Sequence, residues 1–538
     1  MLLPRIRLNS SLSVIRTTAG LHLRSNFRTL RIDRSHLEFL TSEIIPLLDG
    51  SRDKKSVVAS VKGHSRSGLL KFLNTLEENG FLETASDGDD SIDLDSQKQQ
   101  QEFCARTNHP EEIIRCINEY TKLSPKWADQ RTGIIKYLTT EPPDPANFKF
   151  VWTSVAVLRR STSARERSLK TTGFGVGVSA VEATTKAVAE ALELHSASKC
   201  SEDDLLYSSA SALREDFLDP RALSLYDRAQ YSDPAFPFER FHSRSRIAWT
   251  RAQWLDTGAE VLAPAFLTYF GARPSLNQSF AQVTTSGLAT GTSLEDASMR
   301  AICELVERDA FMTTWLAQVP SQRLIPDAID EITRGIVGEF AARGLGMRLY
   351  LLRAGIDIPV VLCLIPGDGK NWPGATVGLG AHADPFIATR RAILEQALIG
   401  PPLRREMLDG KLRIPRRANQ IGTPLDHALY YVPKRRARAF DFLDAEKLDP
   451  VLLSELAEPK KIALALYSKR LQEAGVRVAI KDLTPTVVAA ESPFCVVRAL
   501  GTNLQPLHFG FGLARSASQR LRSLAKKKEL NSSPHPLG

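Results

Sequence analysis

The sequence predicts a mixed α/β (α+β) fold in which pseudo-repeated helix–sheet units make up most of the chain and a small domain of strands and helices precedes them. Three observations predict it. One phrase, a run of glycines followed by an apolar helical stretch carrying glutamates, is written three times between residues 173 and 399. Residues 1–85 instead mix short strand-like and helix-like runs. Between the two regions, Ser86–Gln101 (SDGDDSIDLDSQKQQQ) lacks core residues apart from Ile92 and Leu94 and reads as a solvated linker. The boundaries that follow are 1–85, a linker at 86–101, a helical connector at 102–126 and a large domain over 127–538.

Taken in order, Leu21–Ser25 and Phe27–Ile32 alternate partially between apolar and polar residues, as half-buried strands do. Helical periodicity follows in Ser35–Leu48, Lys54–Val61 and Ser67–Asn79, the last stopped by Gly80 at a C′ position. Phe81–Thr84 supplies a short closing strand. Strands, three helices and a strand form the pattern of a winged helix. Its basic residues (Arg24, Arg28, Arg31, Arg34, Arg52, Lys54, Lys55, Lys62) suit DNA and an acidic peptide equally. Glu102–Lys126 holds a helix over Glu111–Tyr120 that caps the large domain. There, runs free of Pro and Gly (Phe150–Leu158, Val360–Ile365, Phe494–Leu500) supply strands whose order the sequence does not give.

The repeated unit carries the chemistry. Its copies are Gly173–Ser196 (GFGVGVSAVEATTKAVAEALELHS), Gly287–Ala310 (GLATGTSLEDASMRAICELVERDA) and a stretch from Gly378 (GLGAHADPFIATRRAILEQALI). Setting Glu190 on Glu304 aligns Gly173 with Gly287, Gly177 with Gly291, Ser179 with Ser293 and Glu193 with Glu307, and Glu395 takes the slot of Glu190. Each copy reads as a glycine-rich loop, a helix and a carboxylate on that helix. Repetition of one supersecondary unit with its acidic positions kept implies one site assembled from similar pieces. Glu190 and Glu193, like Glu304 and Glu307, stand three apart and share a helix face. Asp296, eleven before Glu307, lies near that face too. The flanking residues (Ala187, Val188, Ala191, Leu192; Ala301, Ile302, Leu305, Val306) are apolar, so these helices are largely buried.

Clustered carboxylates in a buried place repel one another unless a cation compensates. Magnesium suits them, taking one or two carboxylates and completing its shell with water and nucleotide phosphates. Arg308 offers a fork of donors to a phosphate. A single pair of this kind is also what a solvated helix face shows, and Ser293–Asp296 equally fits a capping box with Asp in place of Glu. The repetition favours the metal–phosphate reading.

Composition sets the wider frame. A chain of 538 residues has length for several domains and a large core. Its 43% apolar and 24% charged residues are those of a soluble globular protein. The formal charge of +9 suits a nucleotide or an acidic peptide without arguing for nucleic acid. Cys104, Cys116, Cys200, Cys303, Cys363 and Cys495 are scattered without CxxC spacing, which argues against structural zinc and for a reducing, cytoplasmic location. No apolar run is long enough for a membrane span. Arg5, Arg7 and Arg16 precede the first acidic residue, Asp33, but the stretch reads better as strands than as a transit peptide.

The repeated phrases resemble the YcaO family of ATP-dependent enzymes. The second copy is similar to that family's glycine stretch leading to Cys-Glu-x-x-Glu-Arg-Asp, here Cys303–Asp309. The first is similar to its Ser-x-x-Glu-x-x-Glu, with Ala187 for the serine, and the third to its Arg-x-x-x-Glu, here Arg391 and Glu395. The resemblance runs from about Asp129 to the last residue. It implies ATP and Mg2+ as cofactors, with Glu190, Glu193, Glu304 and Glu307 holding magnesium and ATP phosphates, and Thr292, Asp296, Arg308, Arg391 and Glu395 as further nucleotide contacts. The chain departs from the family at Thr292 (usually Asn), at Asp296 (usually Glu) and at Leu398 (usually Gln, with Gln396 close by). It also has Gly175-Val176-Gly177 where the family has Gly-Lys-Gly, with Lys170 the nearest lysine upstream.

The last segments, GTNLQPLHFG (Gly501–Gly510) and SSPHPLG (Ser532–Gly538), are similar to the ends of YcaO proteins that form azoline rings, which finish in Pro-x-Pro-x-Pro; the last of those prolines is missing here. Alternating prolines favour a stiff polyproline II tail that docks at little entropic cost. The resemblance implies that it packs into the active site, making Pro534, His535, Pro536 and Gly538 catalytic-site residues, with the base left open between the Gly538 carboxylate and His535. The 1–85 module resembles the precursor-peptide recognition domain of peptide-modifying enzymes, which binds a leader peptide as an added strand. That favours peptide over nucleic acid.

Together these resemblances imply an ATP-dependent peptide cyclodehydratase of bacteriocin-type, ribosomally made peptide biosynthesis. A Cys, Ser or Thr side chain attacks the preceding amide, the amide oxygen is phosphorylated, and phosphate leaves to give a thiazoline or oxazoline. Such chemistry asks for positioning and charge neutralisation. Thioamide formation within the same family and a non-catalytic, nucleotide-binding regulator are the alternatives. The implied partners are the leader of a precursor peptide, a ubiquitin-activating-like protein, a flavin dehydrogenase that oxidises the rings, and a second copy of the chain.

Overall fold

The computed structural model describes residues 5–8, 13–17, 20–24, 29–33, 43–44, 47–78, 81–84, 134–143, 149, 151–158 and 172–538, the last stretch with gaps at 271–278, 411–412, 458, 460, 486–487, 490–493 and 527–528. The expected linker 86–101, the connector 102–126, most of the Ser35–Leu48 helix, Gly80 and Lys170 lie outside the described residues.

The N-terminal region holds two antiparallel three-stranded sheets. One has Arg5–Leu8 between Asp49–Asp53 and Leu82–Thr84, and the other has Gly20–Arg24 between Ser13–Thr17 and Thr29–Asp33. Two of the expected helices form, at Lys54–Ser60 and Arg66–Glu78. Asp53 starts the first by accepting the Ser56 amide at 2.8 Å. Leu69, Leu73 and Leu76 recur at helical spacing on the buried face of the second and share a core with Ile6, Ile44, Leu48, Val57 and Phe81. The strand at Asp49–Asp53 was not expected, because DGSRD has the polar composition of a turn.

The large region is three sheets, each delivering its glycine-rich strand to a helix. An antiparallel meander (Ile135–Glu141, Trp152–Leu158, Thr172–Gly177) leads into the helix Ala180–Ala197. A six-stranded sheet runs Leu206–Ser209, Arg246–Trp254, Val478–Asp482, Cys495–Gly501, Leu288–Gly291, with Glu260–Pro264 also paired to Arg246–Trp254, and its last strand leads into the helix Leu294–Ala317. A five-stranded sheet runs Ala375–Ala381, Val360–Pro366, Arg348–Leu352, Gln322–Ile325, Val451–Leu452 and leads into the helix Pro385–Asp409.

Apart from Gly287, which sits in a turn at φ +85°, the glycines of the three copies therefore lie in strands rather than in a loop, which corrects the sequence reading. Alternate strand positions advance by about 6.7 Å and a helical step of four by about 6 Å, so glycines at every second residue meet alanines at every fourth. A Cβ on Gly175 would stand 1.9 Å from the Ala183 carbonyl oxygen, and one on Gly380 would stand 2.1 Å from that of Ala388. Ala183, Ala187, Ala191, Ala388 and Ala392 are fully buried at these contacts. Glycine here lets a strand lie backbone-to-backbone on its helix, and this fixes the height at which each glutamate emerges.

The helix Leu294–Ala317 runs through the middle of the main core, where Ala301, Ile302, Phe311, Met312 and Trp315 pack against the third sheet and the last segment of the chain. No described helix is long and apolar enough to cross a membrane.

Candidate functional site: a carboxylate and arginine cluster at the junction of three repeats

Each repeat helix starts with a side-chain cap. Ser179 accepts the Glu182 amide, Ser293 the Asp296 amide, and Asp384 the Phe386 amide. The third helical residue of the first two copies then turns back. Glu182 accepts the Val178 amide at 3.0 Å and pairs with Lys186 at 2.9 Å. Asp296 accepts the Thr292 amide at 3.0 Å and pairs with Arg300 at 2.9 Å. Burial alone would raise the Asp296 carboxyl, but the Thr292 amide and Arg300 hold it below its ordinary value. Thr292 and Asp296 thus stand at a helix N-terminus with local partners, and Thr292 is exposed. The capping arrangement, open beside the ligand role in the sequence, is the one formed, and its counterpart at Glu182 has the same geometry.

Two to four turns on, the carboxylates converge. Glu190 accepts the Phe174 amide of its own strand at 2.6 Å, Glu304 binds the Gly287 backbone, and Glu395 accepts the Leu379 amide. The second glutamate of a pair reaches onward to the next unit. Glu193 accepts the Thr290 amide at 2.7 Å, where the Thr290 hydroxyl also donates to the Ala189 carbonyl, and Glu307 binds the Ala381 amide. Thr290 and Ala381 occupy equivalent places, each two residues beyond the strand position aligned with Phe174. The first helix is stitched to the second strand, and the second helix to the third strand.

The cluster is electrostatically strained. Burial, and then the charges of Glu304 and Glu190, push Glu193 well above the usual carboxylate range. Burial drives Glu304 up to about 7 against the pull of Arg308 and Arg498. Burial and the neighbouring Glu307 drive Glu395 up to about 7, and Glu307 is itself raised by burial. The Glu307 and Arg308 side chains stand 3.3 Å apart and keep only 13% and 19% exposure, as on the floor of a cleft. Arg391 donates to the Ala381 carbonyl at 2.8 Å and lies near Glu307. Arg308 and Arg391 give the cluster two guanidinium forks aimed among acids, an arrangement that takes phosphate oxygens well.

Of the residues expected in the site, the structure brings together Glu190, Glu193, Glu304, Glu307, Arg308, Arg391 and Glu395. Among the described residues no three acidic, His or Cys side chains form a ready-made metal cage. Gln396 does not stand in for the glutamine replaced by Leu398. It is buried and donates to the Thr376 carbonyl and hydroxyl, on the sheet side of its helix.

Two cations escaped sequence reasoning. Lys186 donates to the Val176 carbonyl at 2.8 Å, next to the glycines where the expected lysine is missing, and its spacing of four from both Glu182 and Glu190 was the available signal. Arg498, 5% exposed beside Glu304, interrupts the apolar run Phe494–Leu500. A charge inside an apolar strand was the signal.

Residues 534–537 are buried and docked. Trp315 donates to the Ser533 carbonyl at 2.9 Å, Tyr431 to that of Pro534, and His427 to that of His535 at 2.8 Å. Leu537 joins the main core, and Gly538 is exposed against the helix Pro424–Tyr430, near Pro424 and Ala428. The His535 ring stacks on His427 at 4.0 Å and approaches the His508 carbonyl through Nε2. Burial, then His508 and His427, and more weakly Arg308, push its pKa well below the ordinary value. His535 thus lies within reach of the Arg308 charge, while the chain ends against the helix Pro424–Tyr430. His535, 1% exposed and held neutral, anchors that tail and is poorly placed to serve as the general base.

Asp309, which ends the Cys303–Asp309 motif, is fully buried and faces away from this cluster, paired through two oxygens with Arg520 and accepting the Gln505 amide at 2.6 Å.

Residues 174–504 match the family described as YcaO cyclodehydratase, ATP- and Mg2+-binding. An uncharacterized protein of Methanothermobacter thermautotrophicus is 28% identical over 226 residues, covering 41% of this chain and 55% of that protein. An uncharacterized protein in the tfuA 3′ region of Rhizobium leguminosarum bv. trifolii is 32% identical over 162 residues, covering 28% and 38%. The chain thus spans about half, or less, of the length of these curated relatives. Among solved structures, a heterocyclase in complex with substrate and cofactor superposes with a TM-score of 0.66 at 14% identity, over 99% of this chain and 100% of that one. The heterocyclase TruD gives 0.52 at 13% identity over 99% and 100%, and the E. coli microcin synthetase McbBCD complex gives 0.53 at 13% over 77% and 99%. At these identities the likeness is one of fold.

Proposed function

The chain belongs to the YcaO family, which binds ATP and Mg2+, and from that premise we propose that it is an ATP-dependent cyclodehydratase turning Cys, Ser or Thr residues of a ribosomally made peptide into azolines. The carrying observation is the meeting of carboxylates from all three repeats with Arg308 and Arg391, in a partly buried place where those carboxylates resist ionisation. Magnesium, when bound, would supply the positive charge that lets them ionise, with Glu190, Glu193, Glu304 and Glu307 as its ligand candidates. Arg308 and Arg391 would grip phosphate oxygens, holding the terminal phosphoryl group in line with the amide oxygen.

In the reaction the peptide side chain gives up its proton and adds to the preceding amide carbon, the amide oxygen takes the γ-phosphoryl group of ATP as ADP leaves, and the C–O bond breaks while the amide nitrogen loses its proton, releasing phosphate and leaving the ring with its C=N bond. The proline-bearing end, docked over 534–537 with His535 within reach of the Arg308 charge, supports ring formation over thioamide formation, because it resembles the ends of azoline-forming members of the family.

We assign leader recognition to residues 1–85, where a small sheet whose edges are Asp49–Asp53 and Leu82–Thr84 packs with two helices, a setting for β-strand addition. A ubiquitin-activating-like partner, a flavin dehydrogenase and self-association belong to the same proposal, as does a cytoplasmic setting.

The test is mass spectrometry of a leader-bearing peptide incubated with the protein and MgATP. Loss of one water per ring supports the reading, and exchange of oxygen for sulfur when sulfide is supplied points to thioamide formation. ATP consumption undiminished in Glu190→Ala and Glu307→Ala would reject this cluster as the nucleotide site.

A further inference from the structure

The far flank of Arg308 opens on a second feature. A cavity of about 80 Å³ lies between the six-stranded sheet and the segment Leu504–Arg515, and Arg308, Arg498, Arg515 and Gln505 line it together with apolar walls such as Leu305 and Leu504. Three guanidinium groups meeting in one small, mostly apolar space is costly unless something negative joins them. Arg498 and Arg515 are 5% and 6% exposed, and neither makes an ion pair with a carboxylate among the described residues. Among the described residues the acidic charge bearing on Arg498 is that of Glu304, and the groups bearing on Arg515 are the hydroxyls of Tyr226 and Tyr231.

Both arginines are held rigidly by backbone oxygens. Arg498 donates to the Leu267 and Thr284 carbonyls at 3.1 and 3.0 Å, and Arg515 donates to the Gln282 and Ser224 carbonyls. If pinning those carbonyls were their whole purpose, the remaining nitrogens would be spent as well. Instead, among the described residues, Arg498 Nη1, Arg515 Nε and Arg308 Nε find no hydrogen-bond partner, and neither does Gln505 Oε1, whose amide nitrogen is fixed on the Arg515 carbonyl at 2.9 Å. All four residues line the same cavity, and three unspent donors with one unspent acceptor match a tetrahedral oxyanion that keeps one hydroxyl.

The geometry points to an orthophosphate pocket, separate from the nucleotide cluster and joined to it through Arg308. An occupant there would touch the opposite side of the guanidinium that faces Glu307. The pocket would thus receive the phosphate that the proposed reaction releases, and a filled pocket would restrain Arg308. That destination rests on the proposed function; the binding of phosphate does not.

The experiment uses the full chain in EDTA without nucleotide, at fixed ionic strength, with orthophosphate and sulfate titrated calorimetrically. Orthophosphate is expected to bind saturably and at least about ten-fold more tightly than sulfate, because sulfate at neutral pH has no proton to give Gln505 Oε1. Gln505→Leu should erase the preference. Arg515→Met should weaken orthophosphate by ten-fold or more. Gln505→Glu, which sets a negative charge among the guanidiniums, should abolish anion binding and raise the thermal midpoint, and it serves where Arg515→Met fails to fold. Binding should persist in Glu190→Gln and alongside saturating Mg·AMPPCP. Absence of saturable binding, displacement by the nucleotide analogue, or unchanged binding in Gln505→Glu overturns the pocket. Orthophosphate bound by a chain that binds no nucleotide keeps the pocket and sinks the proposed function instead.

Discussion

Binding of magnesium nucleotide should expel protons, and Glu304→Gln should change how many. Glu304 and Glu395 are each driven up to about 7. At pH 7 each is then about half protonated, so a magnesium nucleotide that requires both ionised, Glu304 as a metal ligand and Glu395 beside it, releases about one proton from the two. At pH 8 the release from this pair falls to about 0.2, and at pH 6 it rises to about 1.8. Glutamine at 304 carries no titrating proton and removes one negative neighbour from the cluster, so release at pH 7 should drop by about half a proton or slightly more. The assay is calorimetry with preformed Mg·AMPPCP in buffers of different ionisation enthalpy, where the slope of observed heat against that enthalpy counts protons.

The same raised values carry a stability consequence. A carboxyl whose folded pKa exceeds its ordinary 4.5 favours the fold below about 4.5 and loses that contribution as pH rises through about 7. For one such group the unscreened loss is about 3 kcal/mol. Glu304 keeps some contact with solvent, which brings the expectation to about 1–2 kcal/mol. The free protein should therefore melt lower at pH 8 than at pH 5, and Glu304→Gln should flatten that slope. A slope of zero in the calorimetric plot, or equal proton counts for both proteins, would refute the argument, since the carboxylates would then be ionised already or remote from the ligand.

Four further outcomes are expected. Deleting residues 534–538 should abolish ring formation while the far-ultraviolet dichroism persists, with about 2–3 kcal/mol lost as Leu537 leaves the core. Asp309→Ala should cost about 3–5 kcal/mol by stranding Arg520, measured as a lowered denaturation midpoint, whereas a surface acid would cost little. Asp296→Ala should lower stability by about 1 kcal/mol through loss of its cap and leave nucleotide affinity within a few-fold; a hundred-fold loss would show that it is a ligand. Gly380→Ala should push the Ala388 backbone away, cost about 1–3 kcal/mol or more, and weaken nucleotide binding by displacing Glu395.

Much of the site was legible because its positions repeat. Glu190, Glu193, Glu304, Glu307 and Glu395 could be aligned by eye, and the helices that carry them formed where their apolar periodicity put them. What the glycines do was misread: in one dimension a run of Gly looks like a turn, and only the facing alanine row shows that it is a flat strand. Arg498 and Arg515 stayed hidden because their roles come from segments more than two hundred residues away, such as Leu267 and Gln282, whose carbonyls hold them. The base stayed open between the Gly538 carboxylate and His535 because spacing could not anticipate the stacking of His535 on His427 or its edge-on contact with His508.

The stitching of one repeat to the next has a direction. Glu193 reaches the second unit and Glu307 the third, but the corresponding place in the third helix is Leu398, an apolar residue packed with Phe340 and Trp372. The series is an open chain of handshakes with a first giver and a last receiver, not a closed ring. Each link couples its two partners in both directions, so the second repeat, which receives Glu193 at Thr290 and sends Glu307 to Ala381, is the one joined to both others. The three copies, alike in sequence, are thereby unequal in consequence, and damage to the middle one should be felt most widely.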